Sequence, residues 1–130
     1  MRIFTMFMFV TFAMSIMVLG CDKKKTDQVE KSMLTEQEII EISNKKIKSL
    51  DFTIDDSKIY YDKDNSRWKE HLVFINKYTP HFADECNKAL SGREYHTVLY
   101  TPKSETAMGG VMWVFVDPIS GEVIYILPEF

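Results

Sequence analysis

The run Val111-Met112-Trp113-Val114-Phe115-Val116, answered by Val123-Ile124-Tyr125-Ile126-Leu127, limits the fold more than any other part of this 130-residue chain. Both segments are rich in β-branched and aromatic side chains, which suit a pleated surface. Between them, Asp117 can bond its own turn backbone, Pro118 pre-sets φ, and Gly121 can take a positive φ. A hairpin is therefore predicted. Strict alternation places Val111, Trp113 and Phe115 on one face and Met112, Val114 and Val116 on the other. On the return strand it sets Val123, Tyr125 and Leu127 against Ile124 and Ile126. Neither face is polar, so both need cover. Helices would serve on one side. The other calls for more core, a second copy of the chain packed through the sheet, or a binding partner. Gly109 and Gly110, just before the hairpin, mark a bulge or a close backbone approach.

Upstream of the hairpin, the pattern predicts further elements. Thr35-Glu36-Gln37-Glu38 is a capping box opening a helix over residues 35–50, with Ile39, Ile40, Ser43, Ile47 and Leu50 as its apolar stripe. Residues 57–61 read as a short strand and 62–66 as a polar turn. Residues 67–77 read as a helix on the stripe Trp68, Leu72, Ile75 and Asn76, capped by Ser66 and stopped by Pro80. A short helix over 81–90 turns Phe82, Cys86, Ala89 and Leu90 inward, and a strand follows over 95–101. The expected fold class is α+β: an N-terminal helix and a three- to four-stranded antiparallel sheet ending in a C-terminal β-hairpin, with helices on one face.

The first 20 residues carry one charge, Arg2, ahead of an uncharged apolar run over residues 3–19. Val18-Leu19-Gly20-Cys21 ends that run and a charged stretch begins at once. This resembles the bacterial lipoprotein signal, in which the chain is cut before the cysteine and the cysteine is lipidated. The expected organisation is a signal peptide over 1–20, lipidated Cys21 with a flexible tether over 21–34, and one domain over 35–130. The expected location is the cell envelope, with the domain anchored through lipid on Cys21 and facing the periplasm or the cell exterior. Asp22 resembles an inner-membrane retention signal. With Cys21 lipidated, Cys86 is left without an intramolecular partner, and burial suits it.

The segments from Gly92-Arg93-Glu94-Tyr95-His96 through Tyr100-Thr101-Pro102, Gly109-Gly110 and Val114-Phe115-Val116-Asp117-Pro118-Ile119-Ser120-Gly121-Glu122-Val123-Ile124 resemble a family of small bacterial proteins. That family has a nuclear-transport-factor-2-like or cystatin-like fold, and some of its members are immunity proteins that neutralise toxins delivered by neighbouring cells. The resemblance implies a non-enzymatic binding protein whose partner is a protein toxin. The alternative is a periplasmic small-ligand-binding or peptidase-inhibitor-like module.

The chemistry legible in the residues is sparse. Net charge is −3 and becomes −4 once the segment bearing Arg2 is set aside, which argues against nucleic acid as a partner. No nucleophile elbow, zinc-protease motif or phosphate loop occurs, and the three histidines lack metal-ligand spacing. No cofactor, metal or catalytic residue is therefore assigned. Asp55, Asp56, Asp62 and Asp64 form a candidate acidic edge for a basic partner surface. Tyr95, Trp113 and Tyr125 are candidate pocket-lining residues on the concave side of the sheet. Gly109, Gly110, Asp117 and Gly121 are assigned to turns.

Overall fold

The computed structural model describes residues 31–104 and 110–129. The signal segment, Cys21, Asp22, residues 23–30 of the tether and Gly109 lie outside the described residues. The elements are α1 (Glu36–Lys48), β1 (Ser57–Asp62), α2 (Ser66–Tyr78), α3 (Pro80–Leu90), β2 (His96–Pro102), β3 (Val111–Val116) and β4 (Val123–Glu129). The four strands form one antiparallel sheet in the order β1-β2-β3-β4. Each strand thus lies beside its sequence neighbour, and the connection from β1 to β2 carries α2 and α3.

Helices cover both faces of this sheet, not one. The two rows of side chains on β3 explain why. Met112, Val114 and Val116 pack with Val98 and Tyr100 of β2 beneath Ile39 and Ile47 of α1. Trp113 and Phe115 pack with Leu99 and Leu127 beneath Trp68 and Ile75 of α2 and Ala83, Cys86 and Leu90 of α3. The second apolar face is therefore core, and it needs no second copy or partner to cover it. Only the edges of the sheet, β1 and β4, are left unpaired.

The α1 cap forms as its sequence dictates. The Thr35 hydroxyl accepts from the Glu38 amide at 3.3 Å, and the Thr35 amide donates to the Glu38 carboxylate at 2.7 Å. The Thr35 amide, together with the Thr35 hydroxyl donating to the same carboxylate at 2.8 Å, holds the Glu38 carboxyl below its ordinary range. Ile39, Ser43 and Ile47 are buried, but the helix stops at Lys48 and Leu50 is 53% exposed. Asp51 then takes a positive φ of 61°, which ends the helical periodicity that had placed Leu50 inside. On α3 the buried stripe is Ala83, Cys86 and Leu90. Phe82, one residue off that stripe, therefore points out and is 49% exposed.

The hairpin turn matches its residues. Asp117 accepts from the amides of Ile119 and Ser120 at 2.8 Å each. The Gly121 amide donates to the Asp117 carbonyl at 2.9 Å, with φ +73°. Gly110 is also at positive φ, 94°. On β4 the alternation breaks: Phe115 faces Tyr125 but Val116 faces Val123, so Ile124 is an extra residue. This bulge turns Val123 to the α1 side with Ile126, and leaves Ile124, Tyr125 and Leu127 on the side of α2 and α3. Strict alternation had joined Val123 to Tyr125 and Leu127.

The turn also anchors the start of the domain. The Leu34 amide donates to the carbonyl of the buried Pro118 at 2.7 Å. A Cβ on Gly121 would lie 2.9 Å from Ile42 Cδ1 and 3.3 Å from Leu34 Cδ1. Gly121→Ala thus combines left-handed strain with a clash, and we expect a loss of about 2 kcal/mol in unfolding free energy. Equilibrium denaturation reads this directly, and a change within experimental error would contradict the described turn.

Candidate functional site

The sequence-predicted pocket residues come together, but as core. Tyr95 and Tyr125 flank Phe115, with ring centroids 5.6 and 6.4 Å away. Trp113 lies 5.4 Å from Trp68, which in turn sits edge-on to Phe115 at 4.7 Å. Trp68 is 1% exposed and Trp113 4%. The space between the sheet and α2 is filled by the α2 tryptophan and leaves no room there for a ligand.

The acidic edge does not assemble as one surface. Asp62 is buried, and its carboxylate accepts from the amides of Ser66, Arg67 and Trp68 at 3.1, 2.9 and 3.3 Å. It caps α2, a task for which the nearer Ser66 had been the expected residue. Asn65, at the helix start, is in a left-handed conformation and ties α2 to β2, donating to the Tyr95 carbonyl at 2.8 Å and accepting from the Thr97 hydroxyl at 2.7 Å. Asp55, Asp56 and Asp64 are exposed. The first two precede β1 and the third follows it, so that strand separates them by about 20 Å at ~3.4 Å per residue. Lys103 binds the carbonyls of Asp55, through Nζ, and Asp56, at 2.8 Å through its amide.

A surface groove forms where the sequence reading had placed nothing. It is lined by Phe74, Ile75 and Thr79 of α2 and its elbow, Phe82 of α3, and Leu127, Pro128 and Glu129 of β4, and encloses about 410 Å³. The elbow follows from Pro80, which starts α3 and disfavours helical geometry at Thr79. Thr79 has φ −140° and ψ 62°, and its amide donates to the Ile75 carbonyl at 2.7 Å. That bend sets Phe74 and Phe82 on the groove. Val73 (72% exposed), Phe74 (57%), Tyr78 (58%) and Phe82 (49%) are all open to solvent.

His71 connects this surface to the core. Its ring stacks on buried Trp113 at 4.9 Å and 22°, and on Phe74 at 5.9 Å and 24°. Its Nε2 contacts Glu129 Oε1. A second carboxylate, Glu85, meets His81 at 3.2 Å and the Tyr125 hydroxyl at 3.5 Å. Cys86, next to Glu85 on α3, is fully buried. Burial, reinforced by Glu85 and Glu129, pushes its thiol up to about 11, so it is an inert core side chain and not a nucleophile. Among the described residues, no group of three or more His, Cys, Asp or Glu side chains could hold a metal ion. No helix among them is long and apolar enough to cross a membrane.

The signal for the groove was present in the sequence. Leu72-Val73-Phe74-Ile75 is a four-residue apolar run inside a helix, wider than one buried stripe can absorb. The excess, Val73 and Phe74, had to emerge on the outer side.

On the α1 face, the Tyr61 hydroxyl and His96 Nδ1 lie 2.7 Å apart. Burial, then the nearby Lys63, lowers the His96 pKa below 6.5, while Glu94 and Asp64 oppose this weakly. The folded state thus binds the His96 proton less readily than the unfolded chain. Stability falls as pH drops through the unfolded value near 6.5 and continues to fall until the lower folded value is passed. Between pH 7 and 5, His96→Gln should flatten the pH dependence of unfolding free energy. An unchanged slope would remove His96 as a source of acid sensitivity.

The chain matches no family model, no curated protein and no solved structure with which it was compared.

Proposed function

We propose that this chain is a membrane-tethered, non-enzymatic binding protein of immunity type, held to the envelope by lipid on Cys21 and neutralising a protein toxin by masking it. In this reading the fold is a variant of the nuclear-transport-factor-2-like or cystatin-like architecture in which Trp68 occupies the concave site. The observation that carries the reading is the pairing of a filled interior with an apolar exterior. Trp68, Trp113 and Phe115 occupy the space under α2, while Phe74 and Phe82 line one groove open to solvent and Val73 and Tyr78 of α2 are exposed as well. Exposed apolar clusters of this kind mark interaction surfaces, and aromatic side chains dominate the energy of such surfaces.

The test is protection in cells. The products of the adjacent genes are expressed in bacteria with and without the full chain, and survival is compared. Phe74→Asp should abolish protection without loss of fold, because its ring is more than half exposed. Cys21→Ser should reduce protection by releasing the domain from the membrane. Equal survival with and without the chain would refute the reading. A second reading rests on the groove volume, which lies within the range of small-ligand sites. It predicts that a small apolar molecule, and no protein, raises the melting temperature in a Phe82-dependent way.

A further inference from the structure

The groove on α2, α3 and β4 has an apolar floor and an acidic border. Ile75, Leu127 and Pro128 form part of its lining, with Phe74 and Phe82 beside them. Glu129 is the only charged residue in that lining. His71 engages Glu129 Oε1 alone, and Oε2 takes no hydrogen bond from any described residue. Glu85 lies one turn along α3 from Phe82, with its side chain 48% exposed. The Tyr125 hydroxyl of β4 lies 3.5 Å from the Glu85 carboxylate, which sets Glu85 against the same strand that carries Glu129. Lys77, the cation at the end of α2, lies over the Tyr78 ring, 5.0 Å from its centroid. A partner seated here meets aromatic walls and the Glu129 carboxylate in the lining, with Glu85 one turn of α3 beyond Phe82.

We propose that this groove receives a cationic, apolar segment of a protein partner, one that inserts a large aliphatic or aromatic side chain between Phe74 and Phe82 and sets an adjacent Lys or Arg against Glu129 and Glu85. The proposal rests on the protein-binding reading above and names the chemistry of the partner. An anionic membrane surface is disfavoured by the same carboxylates, since like charge at a desolvated contact costs affinity. An apolar ligand without a cation would desolvate Glu129 Oε2 with no donor among the described residues to meet it, which is unfavourable.

The full chain, held in phosphatidylcholine nanodiscs, is titrated with two capped peptides that differ only in charge, acetyl-Phe-Arg-Leu-Arg-amide and acetyl-Phe-Glu-Leu-Glu-amide. Amide shifts of Thr79 and Glu129 report occupancy. The cationic peptide should bind at least fivefold more tightly, and the preference should shrink as salt rises. Glu85→Lys, at a position whose side chain is about half exposed, should cut the preference to about twofold or less, with the melting temperature checked alongside. Glu129→Gln should weaken the cationic peptide and spare the anionic one. Equal affinity of the two peptides, a preference indifferent to Glu85→Lys, or binding of phosphatidylglycerol vesicles in place of either peptide would overturn the proposal. Absence of binding by both peptides would also overturn it. The immunity reading would still stand if Phe74→Asp abolished protection in cells, so the two failures are distinguishable.

Discussion

Trp68→Ala should lower the unfolding free energy by about 3–5 kcal/mol, the cost of truncating a buried aromatic side chain to a methyl group. Several observations place the effect at the upper end of single-residue changes. Trp68 is 1% exposed. It contacts Trp113, Phe115 and His71 at ring distances of 5.4, 4.7 and 6.1 Å. It is also the largest side chain that α2 sets into the core. Its removal empties the layer between α2 and the sheet, and the Trp113 and Phe115 rings are fixed on β3, which cannot move in to fill the void. For a domain of this size the melting temperature should fall by on the order of 20 °C. Trp68→Phe, which keeps most of the edge-on contact with Phe115, should cost less than half as much. Thermal and urea unfolding of the two variants supply the comparison. A loss below about 1 kcal/mol for the alanine variant would mean that the space under α2 is not filled as described.

Asp62→Ala should be the second large effect, about 2–4 kcal/mol, although its site is polar. Three consecutive amides at the start of α2 have their acceptor in this one carboxylate, and the Ser66 hydroxyl lies 3.3 Å from it. Helix N-terminal amides have no partner within the helix. Alanine would leave them unsatisfied at a position where Trp68 is already buried. Asp62→Asn keeps one carbonyl oxygen and should retain roughly half of the stability. Amide hydrogen exchange separates this from a global effect: residues 66–69 should lose protection first. If Asp62→Ala were neutral, the carboxylate would be free for a partner, as the acidic run in the sequence had suggested.

The two cases show what the sequence made legible. The hairpin could be read, short of the last two residues of β4, because β-branched runs and the Asp117, Pro118 and Gly121 turn chemistry agree with one another. The α1 cap was readable because both halves of the box lie within four residues. Asp62 was misplaced because its task is set by the fold. The carboxylate reaches forward over the turn to α2, and charge alone marked it as a surface group. Tyr95, Trp113 and Tyr125 were correctly placed on one side of the sheet, but nothing local revealed that Trp68 would occupy the space they line. The groove escaped notice for a related reason. Its walls come from α2, α3 and β4, and only the Thr79-Pro80 elbow brings Phe74 and Phe82 together. The β4 bulge is likewise invisible to alternation, since Val123 and Ile124 are equally apolar and either could face inward.

The central claim is that function resides on the outer surface of α2 and α3 and not inside the fold. The most direct measurement is calorimetric titration of the full chain, in phosphatidylcholine nanodiscs, with the purified protein products of the adjacent genes. The wild type, Phe74→Asp and a Trp113→Phe core control should be run together. A one-to-one complex that is lost in Phe74→Asp and retained in Trp113→Phe is the predicted result. A complex indifferent to Phe74 and lost with Trp113, or no complex with any of the three, would contradict it.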